Sequence, residues 1–235
     1  MRSRQVAEQP GLPLPVLLSP LRSARRLRLR LDEREQVLKL TYPSRMRAAA
    51  ALAWAATQRA WVDRQLDRLL PVEPFEPGAV ITIDGCEIEL CWHEAAPRRG
   101  LIADGRLTIG GPREAFGRRV ERFLKDHALE ILSTETAQMA DSARLSVHSV
   151  SVGDARTRWG SCSSSGRIRY SWRLILAPPE ARRYVVAHEV AHLRHLDHGA
   201  GFKAFERLLF GGETVAAQAL LREAAPRLRR IGLGR

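Results

Sequence analysis

The residues with the clearest capacity for chemistry lie between Tyr184 and Gly199, where His188 and His192 are four residues apart and Glu189 follows the first of them. Residues four apart lie on one face of a helix, so the two imidazoles can bind one metal ion. A catalytic zinc site has three protein ligands and one position open for water, whose pKa zinc lowers to about 7. Glu189 is placed to accept a proton from that water. The motif therefore predicts a hydrolytic site that uses Zn2+.

Two further histidines compete for the role of third ligand. His198 follows at the point where the helix is expected to end, and a chain that turns back there would carry it to the metal. His195 shares the helical face, but it lies about 10 Å along the axis from His188, at 1.5 Å per residue. We prefer His198 and assign His195 to the rim or second shell. Asp197 is a candidate to orient a ligand imidazole, or else a helix-end acid.

The element that must position these groups is a helix with a recognisable start and stop. Pro178–Glu180 is typical of a helix start. Gly199 and Gly201 supply the stop. Apolar residues in between form a buried side, namely Val185, Val186, Val190 and Leu193.

The rest of the chain predicts an α+β fold in two halves, after a flexible tail over residues 1–20. Residues 21–111 are expected to form a small N-terminal antiparallel β module with one helix. Residues 112–235 are expected to form a zincin-like catalytic half, with a short sheet and the His-Glu-x-x-His helix. The predicted elements of the first half are strands 27–31, 37–42, 80–83, 86–92 and 107–109 and a helix over 46–70. The first two strands are expected to form a hairpin, and Asp84-Gly85 predicts a hairpin turn between the next two.

The second half begins with a long amphipathic helix after Pro112. Alternation predicts a strand over Leu145–Val152, and Ile168–Trp172 with Arg173–Leu176 predicts another that leads to the active-site helix. A free edge of that last strand would hold an extended peptide by β-augmentation.

Composition limits the cellular setting and the partners. The net charge is +12, with a sequence pI of about 10.9, and only three of the 38 basic residues are lysine. Arginine-rich surfaces suit phosphate, and so nucleotides or nucleic acid, but the scatter of the arginines along the chain favours a solvated surface charge without such a role. Three cysteines without Cys-x-x-Cys pairing favour a reducing, cytoplasmic location. No segment reads as a membrane span.

With these residues in view, the chain resembles the YgjP-like metallopeptidase family, which is related to the SprT-like and WLM groups of zincins. The resemblance rests on Thr157–Ser163, Trp172–Pro178, Tyr184–Glu189 and Asp197–Phe202 in series. It implies that His188, His192 and His198 bind zinc and that Glu189 is the general base. Family members often have Phe-Trp where this chain has Phe202-Lys203, which affects the expected wall of the pocket rather than the ligands.

The leading hypothesis is a zinc-dependent hydrolase that acts on peptides or proteins. Tyr170, Arg173 and His195 are candidate oxyanion donors. One alternative is metal-dependent hydrolysis of nucleoside triphosphates, for which the arginines would hold phosphate, although no Gly-x-x-x-x-Gly-Lys loop is present. Another is a DNA-associated protease of the SprT-like kind, whose binding would weaken steeply with salt.

Overall fold

The computed structural model describes residues 5–33, 35–67, 71–154 and 158–233, and the chain forms two compact units, Met1–Pro71 and Val72–Arg235. This division differs from the boundaries at residues 20 and 111 that the sequence suggested. The predicted helix end at Leu70 and Thr157 of the family motif lie outside the described residues. The fold is mixed α+β, with three small sheets and six α-helices among the described residues.

The first unit is a four-stranded sheet in the order β1-β2-β4-β3, followed by two helices. Its strands are β1 (Gln5–Ala7), β2 (Val16–Leu21), β3 (Arg28–Asp32) and β4 (Val37–Pro43). The hairpin of β3 and β4 agrees with the prediction, but the segment predicted as a tail contains β1 and β2. The apolar residues Val16–Leu18 are buried because β2 pairs in parallel with β4, which supplies the partner that local sequence could not reveal.

The single helix predicted over residues 46–70 is two helices, α1 (Ala48–Thr57) and α2 (Arg59–Asp67). They are separated at Gln58, whose backbone (φ −88°, ψ 11°) leaves the helical region. Trp54 and Trp61 both pack against the core of this unit.

The second unit begins with a sheet of the same topology, in the order β5-β6-β8-β7. Its strands are β5 (Val80–Ile83), β6 (Cys86–Trp92), β7 (Leu101–Ala103) and β8 (Arg106–Ile109). Asp84 and Gly85 both have positive φ, at 51° and 80°, as the predicted Asp-Gly hairpin turn requires. The long helix α3 (Phe116–Ser142) follows and packs against the elements that form the site.

The site is built from a three-stranded sheet and three helices. The strands are β9 (Ser149–Gly153), β10 (Gly160–Cys162) and β11 (Arg167–Ser171), in the order β10-β11-β9. The strand predicted over Ile168–Leu176 ends at Ser171, and Trp172–Leu176 is a buried 3-10 helix. β11 is also the central strand, so the free edge next to the site belongs to β10. The helices are α4 (Pro179–Ala191), α5 (Ala200–Phe210) and α6 (Val215–Leu228).

One apolar core runs through the second unit, from the sheet of β5–β8 across α3 to α4 and α5. Trp172 and Leu124 are fully buried in it, and Phe202 at its edge is 2% exposed. Within the residues that the structure describes, no helix is both long and apolar enough to cross a membrane.

Candidate metal centre

Helix α4 presents the first half of the motif. It starts with Pro179 at its first position, in agreement with the predicted start, and its apolar side is buried. The helix ends earlier than predicted, at Ala191, but His192 keeps a helical backbone (φ −65°, ψ −18°). His188 and His192 therefore still lie one turn apart on the same face.

The third histidine reaches the same place through a tight turn. The backbone N–H of Gly199 donates a hydrogen bond to Asp197 Oδ1 over 3.0 Å, and α5 begins at Ala200. Asp197 thus shapes the turn that carries His198 back toward α4, rather than orienting a ligand ring.

The three imidazoles form one cluster. One ligating atom from each of His188, His192 and His198 lies within 4.8 Å of the others. The ring of Phe202 lies beneath all three, with centroid distances of 5.0, 4.6 and 4.8 Å to their rings in that order. Phe202 therefore forms the floor of the cluster, whereas Lys203 is exposed and is not part of the pocket wall.

Hydrogen bonds at the back of the rings orient two of the ligating nitrogens. Nδ1 of His192 lies 3.0 Å from the carbonyl oxygen of His195. Because a carbonyl oxygen only accepts, this Nδ1 carries the proton and Nε2 keeps a lone pair. Nδ1 of His188 lies 2.7 Å from Glu206 Oε1, which fixes that ring in the same way. Burial lowers the pKa of His188, and the neighbouring histidines lower it further against the opposing effect of Glu206. The neutral imidazole that a metal requires is therefore favoured.

The spacing of the nitrogens fits a tetrahedral metal ion. Nε2 of His188 and Nε2 of His198 are 3.3 Å apart. Two nitrogens bound to zinc at about 2.0–2.1 Å in a tetrahedral arrangement are separated by about 3.3 Å. A divalent ion that favours nitrogen ligands therefore fits between His188 and His198 without rearrangement of this pair.

Glu189 stands beside the histidines in a desolvated position. Its side chain is 4% exposed, and burial raises its pKa from 4.5 to about 7, against a lowering by the charge of Arg158. Strand β10 comes so close that a Cβ on Gly160 would lie 2.4 Å from Glu189 Oε1. Only glycine at this point leaves room for the carboxylate.

Two of the predicted oxyanion donors are buried and hydrogen-bonded to other parts of the protein. Tyr170 is buried, and its hydroxyl is 3.0 Å from Thr136 Oγ1 in the core. Arg173 is also buried, and its guanidinium donates to Asp154 and to the carbonyl oxygens of Leu228 and Ile231. Tyr170 and Arg173 therefore stabilise the fold.

His195, the third predicted donor, contributes its carbonyl oxygen to the site through the hydrogen bond from His192. Its ring contacts Phe205, with the ring centroids 5.8 Å apart.

Sequence reasoning missed the part that Glu206 plays. Glu206 is 6% exposed, and its carboxylate holds the ring of His188 from behind. Burial and the charge of Glu206 raise the pKa of the Tyr184 hydroxyl to about 12. A signal was present, because Phe202, Glu206 and Leu209 recur at helical spacing, which places a carboxylate on the apolar face of α5.

Among known proteins, no curated protein and no solved structure matches the chain significantly. A family model described as the YgjP-like metallopeptidase domain matches residues 25–222, which cover the histidine cluster, Glu189 and Gly160. The chain therefore belongs to the YgjP-like metallopeptidase family, as its motifs suggested.

Proposed function

We propose that this protein is a zinc-dependent peptidase in which His188, His192 and His198 hold the metal and Glu189 is the general base. The observation that carries the proposal is the convergence of three imidazole nitrogens beside a buried carboxyl group whose pKa is about 7. Such a pKa is suited to catalysis near neutral pH, because a base works best when its pKa is close to the operating pH. Membership of a metallopeptidase family supports the same assignment.

The donor set favours zinc among the divalent metals. Three neutral imidazoles suit zinc, and the oxygen-rich surroundings that magnesium and calcium prefer are lacking among the described residues around the cluster. When bound, the metal supplies Lewis acidity, which acidifies water and polarises the carbonyl group of a substrate.

Glu189 has two tasks in peptide hydrolysis. It accepts a proton from the water that adds to the carbonyl carbon, and it then passes that proton to the amine nitrogen as the C–N bond breaks. Its burial keeps competing water away and raises its proton affinity. Gly160 permits the close approach of the carboxylate to strand β10.

Strand β10 offers an edge along which an extended peptide can bind. Ser171 N–H donates to Trp159 O over 2.8 Å, and Ser163 N–H donates to Arg167 O over 2.9 Å. Because backbone groups in an antiparallel pair alternate in direction, those of Gly160 and Cys162 point away from β11. Within the described residues, no strand pairs with that side. A peptide added there would lie beside Glu189, which supports a peptide substrate.

The decisive experiment compares wild-type protein with Glu189→Gln after reconstitution with one equivalent of Zn2+. Metal content is measured by elemental analysis, and cleavage is measured on a peptide library by mass spectrometry. The variant should keep its zinc and lose turnover by about 10²–10⁴-fold, the range for removal of a general base. Glu180→Gln, an exposed acid on the same helix, is the matched control and should cleave normally.

Two results would overturn the proposal. Full peptidase activity in Glu189→Gln would remove the base from its role. Hydrolysis of nucleoside triphosphates by the zinc-loaded protein, without cleavage of any peptide, would replace the substrate class.

A further inference from the structure

The first unit contains a group of exposed arginines that the metal centre does not require. Residues 21–31 and 43–58 contain seven arginines and no acidic residue. All seven side chains are exposed. We call this set the basic end, and it comprises Arg22, Arg25, Arg26, Arg28, Arg30, Arg45 and Arg47.

The strand register brings the turn after β2 and the turn after β4 to the same end of the sheet, and Arg28 and Arg30 extend from that end along β3. Leu21 at the end of β2 pairs with Pro43 at the end of β4, and Arg28 at the start of β3 pairs with Thr41. The backbone of Ser44 donates a hydrogen bond to Leu21 O over 3.2 Å, so the turns that carry Arg22 and Arg45 are in contact. Arg47 precedes α1 and follows directly from the same turn.

The acidic residues of the β3–β4 hairpin lie at its opposite end. Asp32 ends β3, and Glu33 and Glu35 belong to the turn between β3 and β4. Lys39 forms ion pairs with Asp32 and Glu35 at that end. The only lysine of the first unit is thus neutralised locally, and no carboxylate in the two basic segments offsets the seven arginines.

Within the described part of the chain, the arginines of the basic end have no carboxylate partners. Among the described residues, none of the seven forms an ion pair within 4.0 Å of a carboxylate. Concentrated like charge repels itself and destabilises a compact state, so such a surface gains when an external polyanion binds.

We propose that the basic end is a docking surface for nucleic acid, held through phosphate contacts and without base recognition. Guanidinium groups bind phosphate oxygens with paired hydrogen bonds, which favours arginine over lysine for this task. An anionic membrane surface would require apolar side chains to insert beside the charges. In these two segments, Leu21 is the only large apolar side chain that is exposed. Nucleic acid is therefore the better match.

The test measures binding of the full chain to a fluorescently labelled 20-nucleotide single strand and to the matching duplex, by anisotropy over a range of salt concentrations. The test variant combines Arg25→Gln, Arg26→Gln, Arg28→Gln and Arg30→Gln. The control combines Arg98→Gln, Arg99→Gln, Arg118→Gln and Arg122→Gln, which removes the same charge from exposed arginines of the second unit. Loss of four phosphate contacts should reduce the slope of log affinity against log salt by roughly 3 and weaken binding strongly, whereas the control changes it little.

Parallel measurements distinguish the other possible outcomes of this test. Equal losses in both variants would mean that net charge alone drives binding, and unchanged affinity in the test variant would remove the surface from any role. Equally tight binding to phosphatidylserine vesicles or to polyglutamate would overturn the choice of nucleic acid. Self-association of the test variant with unchanged affinity would assign the arginines to protection of the edge strand β3. Binding by Glu189→Gln should equal that of wild type, which separates this inference from the proposed peptidase activity.

Discussion

The two ends of helix α4 hold buried charge in opposite ways. Near its start, Arg182 is 4% exposed and pairs with two acids, Glu135 at 2.7 Å and Asp84 at 2.6 Å. Near its end, Glu189 is equally buried, yet it has no hydrogen-bond partner among the described residues, and its pKa is raised by burial. One helix therefore carries a charge that is compensated and a charge that is not.

This difference distinguishes a buried polar group that stabilises the fold from one that is available for chemistry. Arg182 joins α4 to α3 through Glu135 and to the β5–β6 turn through Asp84, so its charge is used to hold elements together. Glu189 holds nothing together, and an unpaired buried carboxylate costs free energy. A buried ionisable group whose unfavourable free energy of burial is not offset by contacts is typical of a catalytic site.

The largest effect on stability is expected at the compensated end. Arg182→Met should lower the free energy of unfolding by roughly 3–4 kcal/mol, because it breaks a buried ion pair with two acids. Chemical denaturation measures the change. Arg183→Met, at the exposed neighbouring position, is the control and should change stability by less than about 0.5 kcal/mol. Equal stability of the two variants would contradict a structural role for Arg182.

At Glu189, removal of the charge should have the opposite effect and raise the free energy of unfolding. A carboxyl group whose folded pKa is raised from 4.5 to about 7 binds more protons in the folded state, so metal-free wild type loses stability as the pH rises through this window. Glu189→Gln should therefore stabilise the metal-free protein by roughly 2–3 kcal/mol above pH 8 and have little effect below pH 4.5. Urea unfolding of both proteins across this pH range measures the difference. Glu180→Gln should show no such trend, and destabilisation by Glu189→Gln at pH 8 would contradict the comparison.

Glu206 combines features of Arg182 and Glu189. Its carboxylate is buried and hydrogen-bonded, and its partner, His188, is a candidate metal ligand. Glu206→Gln should weaken Zn2+ binding by about 10–100-fold, or roughly 1.4–2.7 kcal/mol, because His188 loses the charged acceptor that orients its ring. Competition with a zinc-binding dye gives the affinity. Glu223→Gln, at an exposed position of α6, provides the control. If both variants bind Zn2+ like wild type, Glu206 does not position the ligand.

The sequence predicted the parts of the site that depend on local spacing. His188 and His192 lie one turn apart because helical periodicity requires it, and the turn after Leu196 returns His198 to them through a hydrogen bond between near neighbours in the chain. The hairpin at Asp84-Gly85 follows from the same kind of local rule. In each case the interaction that decides the structure connects residues close in sequence.

Features that depend on distant partners were not predictable in this way. β2 is a strand because it pairs with β4. Trp172–Leu176 forms a 3-10 helix, although a short and mostly apolar segment of this length is equally compatible with a strand. The contact between Gly160 and Glu189 joins residues 29 positions apart. The burial of Tyr170 and Arg173 also depends on packing across the core, so the sequence placed both near the reaction and the structure places them in the framework.

Tyr170 provides the smallest and most specific test of the difference between structural and functional polar groups. Burial raises the pKa of its hydroxyl, which lies 3.0 Å from the buried Thr136 and therefore stays protonated. Tyr170→Phe leaves Thr136 Oγ1 without this partner, so stability should fall by about 1 kcal/mol while peptide turnover stays unchanged. Thr136→Val should cost a similar amount, and the double variant should cost less than the sum, because replacing both partners removes the unpaired group. A large loss of turnover in Tyr170→Phe at unchanged zinc content would mean that this hydroxyl acts on the substrate after all.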